Sequence, residues 1–343
     1  MPARTLASGW RPGDDGWVKA SANHVPGEGL PAGPPTHRRI WIDLLLYPTH
    51  SLPTAAAPVL VGLGLAARAG ELAPGPALVA FLGSWLVHVA GVFTDNHELL
   101  RRHPDVAEHP ELTAAVGDGT LSLSGLRTAI AACLALALAT APWLYGIGGA
   151  PVLVLGAVGI ASSLGYHGWP LAYVRAGLAD PVFLFLFGVV GVAGTVYIQA
   201  ASRHGAPAPW ELFAGLPPET WYAGLPCGAL VTAVMLVDDL RDRHFDRVKG
   251  WRTGAVRYGL DAVRDEITVL VGLACAAPLV FWLAGGMGPA VLLPLLVTPL
   301  AWQVVSAVRR LEQPRDLFPQ SPRMARLGLL HSALLAVGLA LGR

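Results

Sequence analysis

The chain has 343 residues, of which 53% are hydrophobic and 14% are charged, and its formal net charge is +1. A charged share well below the roughly 25% of soluble domains, with a mean hydropathy of +0.51, excludes an ordinary water-soluble protein and predicts a polytopic membrane protein. No run of Lys and Arg alternates with aromatic residues, so we expect no nucleic-acid partner.

The first part of the chain differs from the rest. Residues 1–37 are rich in Gly, Pro and polar groups, and they lack the apolar core of a cleaved signal peptide. We expect a flexible cytoplasmic tail over residues 1–37 and a transmembrane domain over residues 38–343. Nine apolar segments in that domain are long enough, or nearly so, to span a bilayer: approximately 40–68, 77–100, 124–145, 148–165, 181–200, 221–240, 262–284, 288–308 and 324–341. The sequence therefore predicts an all-α membrane protein with about nine transmembrane helices.

Positive charges are distributed unevenly between the two sides of these segments. If the segments cross in alternating directions, 21 of the 24 Lys and Arg residues fall on one side, and Arg68, Arg203 and Arg343 fall on the other. By the positive-inside rule, the N-terminus and the loop after the sixth segment are cytoplasmic, and the C-terminus is outside. We expect an integral protein of the cytoplasmic (inner) membrane, with its active site on the cytoplasmic side.

The second apolar segment ends in acids on this cytoplasmic side. On a helix, Asp95 and Glu98 would be about 60° apart, and His88, two turns earlier, would lie close to the Asp95 direction. The following His103-Pro-Asp105 and His109-Pro-Glu111 are more typical of turns and caps than of zinc ligands. Asp95 and Glu98 alone are weak evidence for a metal site, but a second acidic cluster faces the same compartment.

The sixth apolar segment continues directly into acids and then bases. On a helix, four carboxylates would share a face about 100° wide: those of Asp238, Asp239, Asp242 and Asp246. Carboxylates one turn apart repel and are costly to desolvate, so a cation is expected there. Oxygen ligands favour Mg²⁺ shared with substrate phosphates, and the bases Lys249, Arg252 and Arg257 could meet the remaining phosphate charge. The alternative is a solvated, salt-bridged helix end, against which the membrane-length apolar segment argues.

Two acidic helix ends on one side suggest two metal-binding edges of one cavity. Mg²⁺ can make a bound diphosphate a leaving group, and an apolar cavity suits a hydrophobic substrate chain. Ionisation of an allylic diphosphate leaves a carbocation, which aromatic faces stabilise and from which water must be excluded. The candidate aromatic residues, each with lipid-interface or core packing as its alternative, are Tyr166, Trp169, Tyr173, Phe183, Phe185 and Phe187.

A set of motifs surrounds the second acidic cluster. They are Asp-Asp-Leu-Arg-Asp-Arg-His-Phe-Asp (238–246), Gly250-Trp-Arg-Thr, Ala255-Val-Arg-Tyr-Gly259, Pro170-Leu-Ala-Tyr173, Gly177-Leu-Ala-Asp-Pro181, Gly194-Thr-Val-Tyr-Ile-Gln199, and Leu52-Pro53 leading into residues 57–62. In these motifs the chain after residue 40 resembles the UbiA superfamily of intramembrane prenyltransferases, and more narrowly its 1,4-dihydroxy-2-naphthoate (menaquinone-type) branch.

The resemblance implies transmembrane helices around a central cavity and a Mg²⁺-dependent enzyme. Such an enzyme transfers a polyprenyl group from a polyprenyl diphosphate to an aromatic acceptor such as 1,4-dihydroxy-2-naphthoate. The implied metal ligands are Asp95, Glu98, Asp238, Asp239, Asp242 and Asp246, with Asp95, Glu98, Asp242 and Asp246 as catalytic acids. The implied substrate-binding residues are Arg175, Asp180, Lys249, Arg252, Tyr166 and Tyr173.

The chain departs from the family's pattern at both acidic motifs. Thr94 and Glu98 stand where the first motif has Asn and Asp, and Arg102 stands where its next acid would be, for which Asp105 could substitute. In the second motif, Asp238 and Asp239 replace two Asn, and Trp251 replaces a Lys, with Lys249 displaced. The number of metal ions, the diphosphate geometry and the acceptor therefore stay open.

Several polar residues admit two interpretations. Asp180 either caps a helix or lies near the acceptor, and Arg175 either binds a substrate anion or only orients the chain. Gln199 and His331 are more typical of helix–helix hydrogen bonding than of catalysis.

Two other activities remain as alternatives. The first is a UbiA-type terpene cyclase that needs no acceptor, which the altered first motif permits and the similarity over residues 170–199 opposes. The second is a noncatalytic cation-binding transporter, against which the position of the acids at helix ends argues.

Overall fold

The computed structural model describes residues 41–42, 51–102, 115–168 and 171–342. In this part of the chain the regular structure is helical and contains no strand, so the all-α prediction is confirmed. Helices are expected for such apolar segments because, within lipid, a lone segment can satisfy its backbone hydrogen bonds only as a helix. The predicted N-terminal tail, Asp105 and Trp169 lie outside the described residues.

The described residues contain a series of long apolar helices, which we number in chain order. They are α1 (Ser51–Ala69), α2 (Pro74–Arg102), α3 (Leu123–Gly148), α4 (Ala150–Gly165), α5 (Ala179–His204), α6 (Leu225–Lys249), α7 (Leu260–Leu283), α8 (Pro289–Arg310) and α9 (Gln320–Leu341). In the described part of the chain, 8 of these are long and apolar enough to cross a membrane, and α4 is a shorter apolar helix. Each predicted apolar segment thus has a corresponding helix among the described residues, the first of them from Ser51 onward.

Two of these helices change type along their length. In α5, a π-helical turn at Leu186–Val190 separates two α-helical parts, Ala179–Phe185 and Gly191–His204. In α8, a 3₁₀ segment at Pro289–Val297 precedes the α-helical part Thr298–Arg310. Single π turns within α-helices often occur at functional sites.

Helix α6 is the most buried of the candidate spans and packs against α1, α5, α7 and α9. Its apolar part contributes the fully buried Leu236 and Val237 to a core shared with α7, α8 and α9. The helix then continues beyond the apolar segment to Lys249 and ends at Gly250, which has the left-handed conformation that glycine adopts readily. One uninterrupted helix therefore carries the acids of residues 238–246 on a buried, rigid base.

Helices α5 and α6 approach closely at glycine residues. A Cβ atom added at Gly228 would lie 2.5 Å from the carbonyl oxygen of Leu184 and 2.7 Å from the Cα of Gly188. A side chain at this position would overlap the α5 backbone. The contact therefore holds the aromatic first half of α5 against α6.

Two buried polar residues join elements of the helical domain, and the contact of His331 joins two helices as expected. Gln199 accepts a hydrogen bond of 2.6 Å from the backbone N–H of Ala73, just before α2. His331 of α9 lies with its Nε2 atom 3.0 Å from the carbonyl oxygen of Ala274 in α7. These contacts favour the structural interpretation of both residues.

Candidate active site

A cavity of about 610 Å³ lies among α1 to α6. Most of its wall is apolar, and its polar end is formed where α2 and α6 become acidic. The carboxylates that line it are those of Asp95, Asp238, Asp239, Asp242 and Asp246. The structure therefore brings the two predicted acidic edges together at one cavity.

The four acids of α6 differ in their surroundings. Asp239 and Asp246 are 7% and 3% exposed. The hydroxyl of Thr253 donates to Asp246 Oδ2 over 3.1 Å, whereas no described hydrogen bond reaches the carboxylate of Asp239. A buried carboxylate among like charges is unfavourable unless a cation shares the site. The carboxyl group of Asp239 therefore lies buried at the end of the cavity without a described hydrogen-bond partner.

Arg241 bridges the other two acids of α6. Its Nη1 donates to Asp238 Oδ1 at 2.6 Å and its Nε donates to Asp242 Oδ1 at 2.7 Å, while Nη2 donates to Asp242 Oδ2. Sequence reasoning gave Arg241 no role. The sequence does show that Arg241 follows Asp238 by three residues and directly precedes Asp242. That spacing permits ion pairs with both acids but does not determine where the Arg241 side chain points.

The two acids of α2 have different positions. Asp95 lines the cavity and contacts Nδ1 of His167, a buried residue just after α4 that sequence reasoning also missed. Glu98 accepts hydrogen bonds from Nη2 and Nε of Arg101 at 2.7 and 3.1 Å, and it is not among the residues that line the cavity. The structure thus places Asp95 at the site and Glu98 beside it.

A stack of side chains connects Asp95 to the end of α6. The rings of His167 and Trp251 stack with centroids 4.0 Å apart, and Lys249 Nζ lies 3.9 Å from the Trp251 ring. Trp251 and His167 line the cavity, whereas Lys249 does not. The Trp251 ring therefore lies between Lys249 and the cavity.

Aromatic rings form the wall next to the acids. Tyr166 is 5.5 Å from Tyr173 and 5.4 Å from Phe183, and Phe183 is 5.4 Å from Phe187, measured between ring centroids. All four line the cavity, whereas Phe185 is exposed on the outside of α5. The cluster places several aromatic faces beside the carboxylates.

Both tyrosines of this cluster keep their protons. Burial and the negative charge of Asp239 raise the pKa of Tyr166 well above its ordinary value. Burial also raises the pKa of Tyr173, whose hydroxyl donates to the carbonyl oxygen of Ser162 over 3.0 Å. The two side chains are therefore neutral and present their rings to the cavity.

The remaining predicted substrate-binding residues lie outside the cavity lining. Arg175 is partly buried in a short helix, Tyr173–Ala176, and Arg252 is exposed after α6. Asp180 is in the first turn of α5, but the helix begins after Leu178 and has no side-chain capping bond. Its charge interacts with Arg257 and Asp239. Asp180 is therefore close to the acidic end without lining it.

The donor atoms at the polar end suit a hard divalent cation. Among the described residues, no group of three or more His, Cys, Asp or Glu side chains converges on one point. Mg²⁺ commonly binds through one or two carboxylates and completes its shell with water and substrate phosphates. The carboxyl groups of Asp239 and its neighbours on α6 fit such shared coordination.

Comparisons with known proteins identify similar sequences along most of the chain. The UbiA prenyltransferase family pattern matches residues 55–330. The 1,4-dihydroxy-2-naphthoate octaprenyltransferase of Escherichia coli (strain K12) is 27% identical over 312 residues, covering 88% of this chain and 96% of that protein. The protein of that name from Mycobacterium tuberculosis (strain ATCC 25618 / H37Rv) is 30% identical over 303 residues, covering 86% and 95%.

A solved structure shares the fold. The UbiA homologue from Aeropyrum pernix K1 superposes with a TM-score of 0.58 at 16% identity, covering 82% of this chain and 96% of that chain. At this identity the similarity concerns the arrangement of helices alone.

Proposed function

This chain belongs to the UbiA prenyltransferase family, and we propose that it transfers a polyprenyl group from an allylic polyprenyl diphosphate to an aromatic acceptor such as 1,4-dihydroxy-2-naphthoate. The observation that carries the proposal is one cavity with a carboxylate-lined end and an apolar, aromatic wall. These parts match the two parts of the donor, a charged diphosphate and a hydrophobic chain. The acceptor class is supported by the names of the relatives from both bacteria.

The carboxylates would hold Mg²⁺ at the diphosphate end. We assign this role to Asp239, Asp242 and Asp246 with Asp238 from α6, and to Asp95 from α2. Glu98 is left out because Arg101 holds its carboxylate outside the cavity lining. When bound, Mg²⁺ supplies charge neutralisation for the leaving diphosphate.

The aromatic wall serves the reacting end of the prenyl chain. Tyr166, Phe183 and Phe187 present neutral rings, whose electron-rich faces attract a carbocation. They also exclude water, which would otherwise capture the cation as an alcohol. The ring carbon of the acceptor attacks the cation once the diphosphate has left. That carbon then restores aromaticity by losing its proton or, where it carries the carboxylate of 1,4-dihydroxy-2-naphthoate, by losing CO₂, and the second route gives a prenylated naphthoquinol.

The chain is an integral membrane protein, and we propose the cytoplasmic membrane as its location. The excess of Lys and Arg on the side of the acidic end supports a cytoplasmic active site. The diphosphate group of the donor can then reach the cavity from the cytoplasm, and its prenyl chain can reach the cavity from the lipid bilayer.

Product analysis tests this function. Purified protein in lipid is incubated with Mg²⁺ and geranylgeranyl or farnesyl diphosphate, with and without 1,4-dihydroxy-2-naphthoate, and the products are identified by mass spectrometry. We expect a prenylated naphthoquinol only when donor, acceptor and Mg²⁺ are all present. A hydrocarbon or a prenyl alcohol formed equally without acceptor would indicate a cyclase or hydrolase and contradict the proposal.

A further inference from the structure

Arg241 is held at the acidic end of the cavity from two directions. It is 7% exposed, and on α6 itself it bonds both oxygens of Asp242 and one of Asp238. From the other side, the ring of Phe318 lies 4.7 Å from its Cζ atom, just before α9. Ser321, in the first turn of α9, donates to Asp238 Oδ1 over 2.6 Å. The guanidinium is therefore fixed in place.

The position of Arg241 matters because most of the charged groups around the cavity are acidic. Among the described residues that line the cavity, five carboxylates occur with a single Lys or Arg side chain, that of Arg241. A bidentate guanidinium–carboxylate pair is among the stronger interactions between side chains. Arg241 thus forms ion pairs with two of the carboxylates that the proposed function assigns to the metal.

A divalent cation and this guanidinium compete for the same oxygens. Both oxygens of Asp242 face Arg241, so a cation approaching Asp242 meets an existing positive charge. A diphosphate at the same end changes the balance, because it offers the guanidinium a second anion of suitable geometry. Arg241 can then pass from carboxylate to phosphate oxygens and leave Asp238 and Asp242 to the cation.

We propose that Arg241 couples divalent-cation binding to diphosphate binding, so that each ligand binds weakly alone and tightly with the other. The proposal rests on the proposed function, since it takes a metal–diphosphate pair as the ligand. It adds a positioning residue that keeps the acidic end from filling with metal before the donor arrives. No bond is made or broken in this step.

Equilibrium binding tests the coupling without turnover. Mn²⁺, which is visible by electron paramagnetic resonance, is titrated into the full-length protein in lipid nanodiscs. The titration is repeated with a non-ionising prenyl thiolodiphosphate, and a protein-free titration corrects for Mn²⁺ held by the analogue itself. In the wild type we expect the analogue to tighten Mn²⁺ binding about tenfold or more.

Substitution of Arg241 should change both titrations. With Arg241→Gln, Mn²⁺ alone should bind about tenfold more tightly than to the wild type, and the analogue should add little. Arg247→Gln is the matched control, because Arg247 is on the same helix with the same charge but is exposed. That variant should reproduce the wild type.

Two milder variants address loss of folding, since removing Arg241 leaves the partly buried carboxylate of Asp242 without its guanidinium partner. Arg241→Lys keeps the charge but cannot bridge both acids, and Phe318→Leu removes the ring against the guanidinium. Both should show intermediate coupling.

Wild-type affinity and coupling in Arg241→Gln would overturn the proposal. If Arg241→Gln does not fold, wild-type behaviour of both milder variants would do the same. Absence of any Mn²⁺ binding to the wild type, with and without analogue, would instead contradict the metal-dependent function.

Discussion

At the scale of single residues, the carboxylate of Asp242 has two roles. It lines the cavity at the position proposed for the metal, and it is held by Arg241 through both oxygens. A neutral amide could keep one hydrogen bond to the guanidinium but could not balance a divalent cation. Asp242 is therefore the residue at which metal binding and side-chain geometry depend most directly on charge.

Replacement of Asp242 by Asn should lower prenyl transfer about 100-fold or more, equivalent to roughly 3 kcal/mol of transition-state stabilisation. The loss follows from the missing negative charge at the metal site. The rate of naphthoquinol formation is the measurement, and an unchanged size-exclusion profile shows that the variant is folded. Wild-type turnover would remove Asp242 from the metal site.

The two α2 acids should respond unequally. Asp95→Asn should reduce turnover about tenfold or more, because Asp95 lines the cavity. Glu98→Gln should stay within about threefold of the wild type, since its partner is Arg101. Initial rates at several Mg²⁺ concentrations distinguish the two. Equal losses in both variants would place Glu98 in the site after all.

The ring of Tyr166 should matter more than its hydroxyl. Tyr166→Leu removes a carbocation-facing ring worth about 2 kcal/mol, which corresponds to roughly 30-fold in rate, and it should increase the share of prenyl alcohol. Tyr166→Phe keeps the ring and should retain most activity. The alcohol-to-naphthoquinol ratio is the readout, and the same ratio in all three proteins would argue against a role for the ring.

The residues that sequence reasoning found and missed differ in a physical way. Helical periodicity predicted that Asp238, Asp239, Asp242 and Asp246 share a face, since that follows from spacing on one helix. His167 enters from the connection between α4 and α5, and its contact with Asp95 depends on how separate helices pack. Contacts between distant segments leave no periodic pattern, so the sequence alone did not predict them.

At the scale of elements, the pair α5 and α6 sets the distance between the aromatic wall and the acids. Gly188, Gly224 and Gly228 allow the two backbones to approach. The hydropathy of the segments predicted both helices. The bounds of α5 lie within four residues of the predicted ones, whereas α6 continues nine residues past its predicted end at residue 240. Hydropathy did not predict this contact, because glycine in a membrane helix is compatible with a packing interface, a kink or a lipid-facing surface.

Gly228→Val should destabilise the protein by about 3 kcal/mol or more, because the new side chain would overlap the α5 backbone. Gly272→Val is the control, since a Cβ there would meet nothing within 4 Å. Fluorescence-detected melting in detergent compares the two. Equal melting temperatures for Gly228→Val and the wild type would show that α5 and α6 are not packed at this position.

For the whole molecule, the distribution of Lys and Arg predicts its orientation across the bilayer. The two sides can be marked by Asp261, which is exposed at the start of α7, and Glu211, which is exposed between α5 and α6. The acidic ends of α2 and α6 lie on the Asp261 side of the predicted topology. Sidedness is therefore a property that labelling can decide.

Single cysteines at positions 261 and 211, in a protein without its three native cysteines, should react oppositely with a membrane-impermeant maleimide. We expect Asp261→Cys to be labelled only in inside-out vesicles and Glu211→Cys only in right-side-out vesicles. Retained prenyl transfer in both variants shows that the fold is preserved. The reverse pattern would place the acidic end outside the cytoplasm.

The π turn of α5 has a consequence for how this chain is compared with its relatives. Such a turn holds one residue more than an α-helical turn. Loss of one residue from Leu186–Val190 would therefore rotate the first part of α5 by about 100° relative to the part after the turn. Phe183 would then turn away from the cavity although its identity and its neighbours in the sequence were unchanged. A one-residue gap at this turn in an alignment with a relative therefore indicates that different residues form the cavity wall in the two proteins. Residues before the gap occupy equivalent positions in space only after that rotation is taken into account.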